Sequence, residues 1–318
     1  MLNELQRIEF IGDTASNIAK IETLCDVDVS DTRLPVYALT VGSADKYAPI
    51  FGITGGVHGL ERIGCHVVIS WLESLIARLQ WDQHLNALLS KVRLLAIPLV
   101  NPGGLLAQTR SNPNGVDLMR NAPIDGEAKV SFLVGGQRLS SRLPWYRGLV
   151  DRMEPEAEAL VNFFNTSSDK ARSMVTIDCH SGFGLQDRLW YPYAKRVGGF
   201  PGERLIKNQI RLFSKAHPNH PYIIEPQANQ YTTHGDLWDY LYDLRSTPSR
   251  SPCPYTPWTL EMGSWSWIRK NPRQLFSAMG VFNPTIPHRY KRTMRRHLFL
   301  LDTLLRIAAH PASWIDNT

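Results

Sequence analysis

Apolar residues recur along the chain in two alternating rhythms. Short runs of β-branched and aliphatic residues fall at Tyr37 to Val41, Ile50 to Thr54, Val92 to Val100, Met174 to Ile177 and Trp258 to Leu260. Runs of that length and composition predict strands. Between them, apolar residues return at helical spacing over Ile63 to Leu79, Glu156 to Phe164, Leu205 to Phe213, Leu237 to Leu244 and Thr293 to Ala309, so each of these segments can bury one stripe of a helix. Strands alternating with helices predict an α/β fold with helices on the sheet faces.

Pro123 to Arg152 and Leu244 to Pro257 carry neither rhythm and are rich in Gly, Pro, Ser or Arg, which predicts loops. The second holds Pro248, Pro252, Pro254 and Pro257 yet leads straight into a strand-like run, so it reads as an ordered excursion and not as a linker. No repeat or low-complexity tract interrupts the pattern. The 318 residues are therefore expected to form one domain.

Composition supports a folded chain. Hydrophobic residues make up 43% and charged residues 20%, with 9 Trp, 11 Tyr and 11 Phe, which excludes global disorder, collagen and coiled coil. No run reaches the 18 or so apolar residues of a membrane span, and the start, MLNELQRIEFIGDTAS, has no apolar secretory core. Cys25, Cys65, Cys179 and Cys253 show no CxxC spacing, so a reducing cytoplasm is the expected home and no membrane partner is expected. The net charge of +6 is local: Arg289, Lys291, Arg292, Arg295 and Arg296 fall within eight residues just before an apolar helical run. Such a stretch is either the solvated face of a helix or a contact for an anionic ligand. No nucleic-acid motif accompanies it, so no nucleic-acid partner is expected.

Candidate chemistry sits at the ends of the strand-like runs. Ile53 to Gly64 reads ITGGVHGLERIG, with His58 and Glu61 three residues apart where a buried strand gives way to a helix. Ligands of α/β sheets bind beyond the carboxyl ends of strands, and an imidazole and a carboxylate from one tight turn can fill two positions on Zn²⁺. Alone, the pair is equally a capping Glu beside a surface His. Met174 to Gly182 is a second apolar strand ending in a histidine, His180, which offers a third ligand or a hydrogen-bonded histidine near the core. Glu261 ends a third strand-like run before Gly263, where an acid faces a cleft, a cation or solvent. A partly desolvated carboxylate near a metal site has the basicity of a general base. Arg110 and Arg120 flank the Asn114-Gly115 turn, either as a solvated loop or as forks for a carboxylate and a developing oxyanion.

Taken in order, H-x-x-E, N-P-G-G, R…G-V-D-L-x-R-N, H-S and a late Glu, between about Pro49 and Gly263, the chain resembles the carboxypeptidase A-like zinc metallopeptidases. The resemblance implies a mixed, mostly parallel twisted sheet flanked by helices, and one Zn²⁺ held by His58, Glu61 and His180. It implies Glu261 as general base, Arg110 as the residue polarising the scissile carbonyl, and Arg120, beside Asn121, as the holder of the substrate's terminal carboxylate. Asp117 takes the place of the carboxylate that orients His58. A mobile substrate-binding tyrosine is expected at Tyr240, with Tyr242 the fallback. Members that trim peptides usually read Asp-x-Asn-Arg; this chain has Asp117-Leu-Met-Arg120. Met119 donates no hydrogen bond, so either Arg120 clamps alone, another donor replaces the amide, or the substrate presents a different group there.

The expected activity is zinc-dependent hydrolysis of an amide bond in a peptide or peptide-like substrate bearing a free carboxylate. Cell-wall peptides are included by analogy with the murein tripeptide amidases. The alternative is deacylation of an N-acyl amino acid, as in the related aspartoacylases and succinylglutamate desuccinylases.

Overall fold

A computed structural model describes residues 2–127, 129–247 and 253–316. Eight strands form one sheet: β1 (Ala19–Val29), β2 (Thr32–Gly42), β3 (Ile50–Gly55), β4 (Arg93–Ile97), β5 (Met174–Ser181), β6 (Arg188–Tyr191), β7 (Ile223–Pro226) and β8 (Tyr255–Met262), in the order β1-β2-β4-β3-β5-β8-β6-β7. The central strands β4, β3, β5 and β8 are parallel. Antiparallel pairs join β1 to β2, β2 to β4, and β6 to β8. Every residue of β3 and β5 is buried, which is why these strands read as unbroken apolar runs and not as alternation.

The helices are α1 (Asn3–Thr14), α2 (Arg62–Leu79), α3 (Gln83–Leu89), α4 (Pro102–Ala107), α5 (Pro155–Ser167), α6 (Glu203–Ala216), α7 (Leu237–Arg245), α8 (Trp265–Lys270), α9 (Ala278–Phe282), α10 (Pro287–Ala309) and α11 (Ala312–Ile315). They cover both sheet faces, as two neighbouring residues of β3 demonstrate. The Phe51 ring meets Trp71 of α2 edge-on at 5.8 Å. A side chain at Gly52 would strike Phe164 of α5, and successive strand residues point to opposite faces. Gly64 lets α2 approach β5 closely, since a Cβ there would collide with the Cys179 carbonyl oxygen.

The five strands and five helices read from the sequence all form, within β2, β3, β4, β5 and β8 and within α2, α5, α6, α7 and α10. The run Val92 to Val100 is shorter as a strand because its last residues turn away: Val100 and Asn101 donate their backbone N–H groups to the carbonyls of Gly55 and Gly56. That turn brings the tips of β3 and β4 together where the ligands lie. Pro123 to Arg152 holds no helix or strand among the described residues. Of the second loop, residues 248–252 lie outside the described residues, and Tyr255 already belongs to β8. Helix α1 and strands β1, β6 and β7 have no counterpart in the sequence reading. All four cysteines are free thiols.

Candidate active site

His58, Glu61, His180 and Glu261 stand at or just beyond the ends of central strands. Strand β3 leads through Gly56, with φ at +65°, into the turn that carries His58 and Glu61. His180 and Glu261 are direct partners in the parallel register of β5 and β8. His58, Glu61 and His180 are buried, and each offers a ligand atom within 4.8 Å of the others. Both imidazoles turn Nδ1 toward Glu61: His58 Nδ1 lies 2.8 Å from Oε1, and His180 Nδ1 lies 2.9 Å from Oε2. The Ser181 N–H donates to the same Oε2 at 3.0 Å.

The other nitrogen of each imidazole is held by a buried carboxylate. His58 Nε2 is 3.1 Å from Asp117 Oδ1, and His180 Nε2 is 2.6 Å from Asp178 Oδ2. Such carboxylate–histidine pairs fix the ring and the tautomer, leaving Nδ1 free to ligate. Asp178 accepts two further bonds, from Trp238 Nε1 at 2.9 Å and Thr54 Oγ1 at 2.8 Å. Burial alone would raise the Asp117 carboxyl, but Arg110 and His58 outweigh it and hold it well below the usual carboxylate range. Burial would likewise lower His180, yet Asp178 and Glu61 push it well above an ordinary histidine. A site this rich in negative charge favours a cation.

Arg110 donates from Nε to Asp117 at 2.8 Å and from Nη1 to Glu61 at 3.3 Å, so the two acids aim its fork. Glu261 accepts the Phe183 N–H at 2.9 Å. Burial, with the Glu61 carboxylate nearby, pushes its carboxyl up to about 8. These groups share a cavity of about 440 Å³ with Met119, Arg120, Tyr231 and Thr259. Arg120 donates from Nε to the Val134 carbonyl and from Nη1 to the Met119 carbonyl, and its guanidinium lies 6.0 Å from the centre of the Tyr231 ring. Among the described residues it forms no ion pair with a carboxylate.

The segment from Pro123 to Arg152 roofs this cavity with Ser131, Val134 and Trp145. Arg147 anchors it, donating to the Arg120 and Ile124 carbonyls and to Asp125.

Two expected site residues stand elsewhere. Asn121 does not line the cavity: its amide donates to the Arg147 carbonyl and accepts the Glu154 N–H, so its side chain fastens the roof. Tyr240 also stands apart. It lies on α7 two residues after Trp238, about 200° further round a helix of 100° per residue, and Trp238 is the one turned toward Asp178. Its fallback, Tyr242, packs against Phe200 at 4.5 Å. The tyrosine on the cavity is Tyr231, which the sequence reading passed over. It packs against both Phe183 and Trp190, and an aromatic stranded in the polar run Asn229-Gln-Tyr-Thr-Thr233 was the available signal. Asp178 was also passed over, although its position two residues before His180 puts both on one strand face.

The model of the zinc carboxypeptidase family matches residues 8–262. The chain belongs to that family. Carboxypeptidase SOL1 of Arabidopsis thaliana is 22% identical over 245 residues, which is 72% of this chain and 45% of that protein, so the chain spans less than half of that relative's length. Among solved structures, bovine thrombin-activatable fibrinolysis inhibitor in complex with tick carboxypeptidase inhibitor superposes with a TM-score of 0.67 at 19% identity, over 96% of this chain and 94% of that one. Carboxypeptidase A of Helicoverpa armigera gives 0.65 at 16% identity, over 96% and 72%. These likenesses bear out the family's mixed α/β sheet. The comparisons give the N-acyl amino acid deacylase alternative no support. No described helix is long and apolar enough to cross a membrane.

Proposed function

We propose that the protein is a metallocarboxypeptidase-type hydrolase, binding one Zn²⁺ per chain and cleaving an amide bond in a peptide or peptide-like substrate with a free carboxylate beside that bond. Arg120 carries this reading: a guanidinium without a carboxylate partner among the described residues shares one cavity with the donor triad, Arg110 and Glu261. A guanidinium hydrogen-bonded to backbone carbonyls still suits a guest carboxylate.

The donor set fits Zn²⁺. Two imidazole nitrogens and one carboxylate are a known ligand set for a catalytic zinc, and each imidazole is braced from behind by an acid. His58 Nδ1, His180 Nδ1 and the Glu61 carboxylate would hold the ion, which supplies Lewis acidity toward the scissile carbonyl and toward water.

The remaining work falls to the chain's own side chains. Arg120 takes the substrate carboxylate, and Tyr231 beside it closes that end of the cavity. Arg110, aimed by Asp117 and Glu61, steadies the carbonyl oxygen as it gains charge. Glu261 accepts the proton of the attacking water and returns it to the leaving amine. Its raised basicity suits both halves of that transfer. Met119 accepts from Arg120 at its carbonyl and is one of the residues lining the cavity, so an apolar residue replaces the side-chain donor usual at this position. Short peptides with free carboxyl termini and cell-wall peptides are the substrates to try first.

Glu261→Gln tests the assignment, because the amide keeps the size of the side chain but cannot take the proton. Zinc content by elemental analysis should stay at one per chain while kcat falls by about 10²-fold to 10⁴-fold. Near-normal turnover in that variant would remove Glu261 from the mechanism.

A further inference from the structure

The charge of the chain is divided more sharply than its five clustered arginines and lysines suggest. From Met262 to Leu301 there is no Asp or Glu, while eight Lys or Arg occur. The rest of the chain then holds 27 cations against 29 acids. All of the positive surplus belongs to this one segment, which forms α8, the turn Pro272–Phe276, α9 and the first half of α10.

The fold brings six of these cations, Arg269, Lys270, Arg273, Arg289, Arg292 and Arg296, to the side where α8 meets α10, while Lys291 and Arg295 point to another side of α10. Arg269, Lys270 and Arg273 are exposed at the end of α8 and in the turn that follows. Arg289 of α10 reaches the carbonyls of Trp267 and Lys270, which lays the start of α10 against the end of α8. Arg292 and Arg296 follow on the same helix face at i+3 and i+7. Arg296 pairs with Asp187 at 2.9 Å, and Asp187 in turn accepts the Gly263 N–H just before α8. Apart from that pair, none of the eight cations has an ion-pair partner among the described residues.

Large apolar side chains project beside these cations. Phe276 is 93% exposed and Leu275 is 59% exposed, on the same turn as Arg273. A soluble polyanion or a solvated helix face has no use for a protruding phenyl ring, whereas a bilayer takes both features, the ring among acyl chains and the cations at the headgroups. We infer that the turn Pro272–Phe276, with the cations of α8 and α10 beside it, docks the protein on an anionic lipid surface. No spanning helix is needed for such attachment. Phe282, at the end of the next helix, lines the catalytic cavity, so docking brings one lip of that cavity to the membrane. The inference is independent of the reaction performed there.

The test is co-sedimentation of the full chain with vesicles of phosphatidylcholine alone or with about a third phosphatidylglycerol, alongside retention on immobilised heparin. Wild-type protein should sediment with the anionic vesicles only, and less so as salt rises. Lys270→Glu with Arg273→Glu should weaken vesicle binding at least tenfold. Leu275→Ser with Phe276→Ser should weaken vesicle binding roughly tenfold while leaving heparin retention unchanged. Both pairs are exposed, so unchanged thermal midpoints verify the fold. Wild-type protein that stays in the supernatant with anionic vesicles overturns the inference. So does a serine variant that sediments as well as wild type, which would make the surface a site for a soluble polyanion.

Discussion

Asp178→Asn separates the charge behind His180 from the hydrogen bonds made there. Asp178 Oδ2 accepts from His180 Nε2 and Trp238 Nε1, and Oδ1 accepts from Thr54 Oγ1. An asparagine can keep its oxygen toward His180 and Trp238 and point its amide nitrogen at Thr54, whose hydroxyl reverses to accept. All three bonds survive and only the negative charge is lost. His180 then becomes a less basic ligand, and loss of such a carboxylate partner costs about 10-fold to 100-fold in metal affinity, or roughly 1.4 to 2.8 kcal/mol. Asp178→Ala differs in kind. It strands two or three buried donors at about 1 to 3 kcal/mol each, a large share of a total stability of about 5 to 15 kcal/mol. Chelator competition for zinc and thermal unfolding of the metal-free proteins measure the two effects. The expected pattern is weakened zinc binding with a nearly unchanged melting point for Asn, and a large fall in melting point for Ala. Wild-type zinc affinity in Asp178→Asn would refute the claim that the charge tunes His180. A melting point as low as that of the alanine variant would refute the hydrogen-bond assignment.

Replacing His180 with Ala should abolish stoichiometric zinc, and one zinc per chain in that variant by elemental analysis would overturn the ligand set. Tyr231→Phe should raise KM for carboxyl-terminal peptides several-fold, the scale of about one neutral hydrogen bond, while Tyr240→Phe leaves the kinetics unchanged; steady-state assays of the two variants decide which tyrosine meets substrate. Met119→Asn should leave simple peptides poor substrates and depress activity on the true substrate, because Met119 forms part of the cavity wall. A clear gain in kcat/KM on simple peptides would instead mark the position as a weakened clamp.

How much was legible in the sequence depends on how local the signal was. The buried strands β3 and β5 and the helices α2 and α10 announce themselves, because an element packed on several sides must carry its apolar residues in an unbroken run or at helical spacing. His58, Glu61, His180 and Glu261 were legible for the same reason, since each is a polar residue placed where such a run stops. Strands β6 and β7 have four residues each and are the last two strands at one end of the sheet, too short for a period to show. Helix α1 buries Glu4 against Arg62 and His66 of α2, a pairing across 58 and 62 positions that no local pattern contains.

The partners of the site were decided only by the tertiary structure. That Asp178 braces His180 follows from a strand geometry the residues share, yet its other two bonds come from β3 and α7. Asn121 sits beside Arg120 in sequence but turns to the roof, because the buried Glu154 N–H and the Arg147 carbonyl need its amide. Tyr240 stands off the cavity, which Tyr231 lines, because helix rotation is set by which face packs, and Trp238 took the position against Asp178. Residue types, and the order in which they come, state what chemistry is available. The distances that make it work arise from register and packing between segments far apart in the chain, where one residue's hydrogen bonds depend on groups that its own neighbours in sequence do not contain.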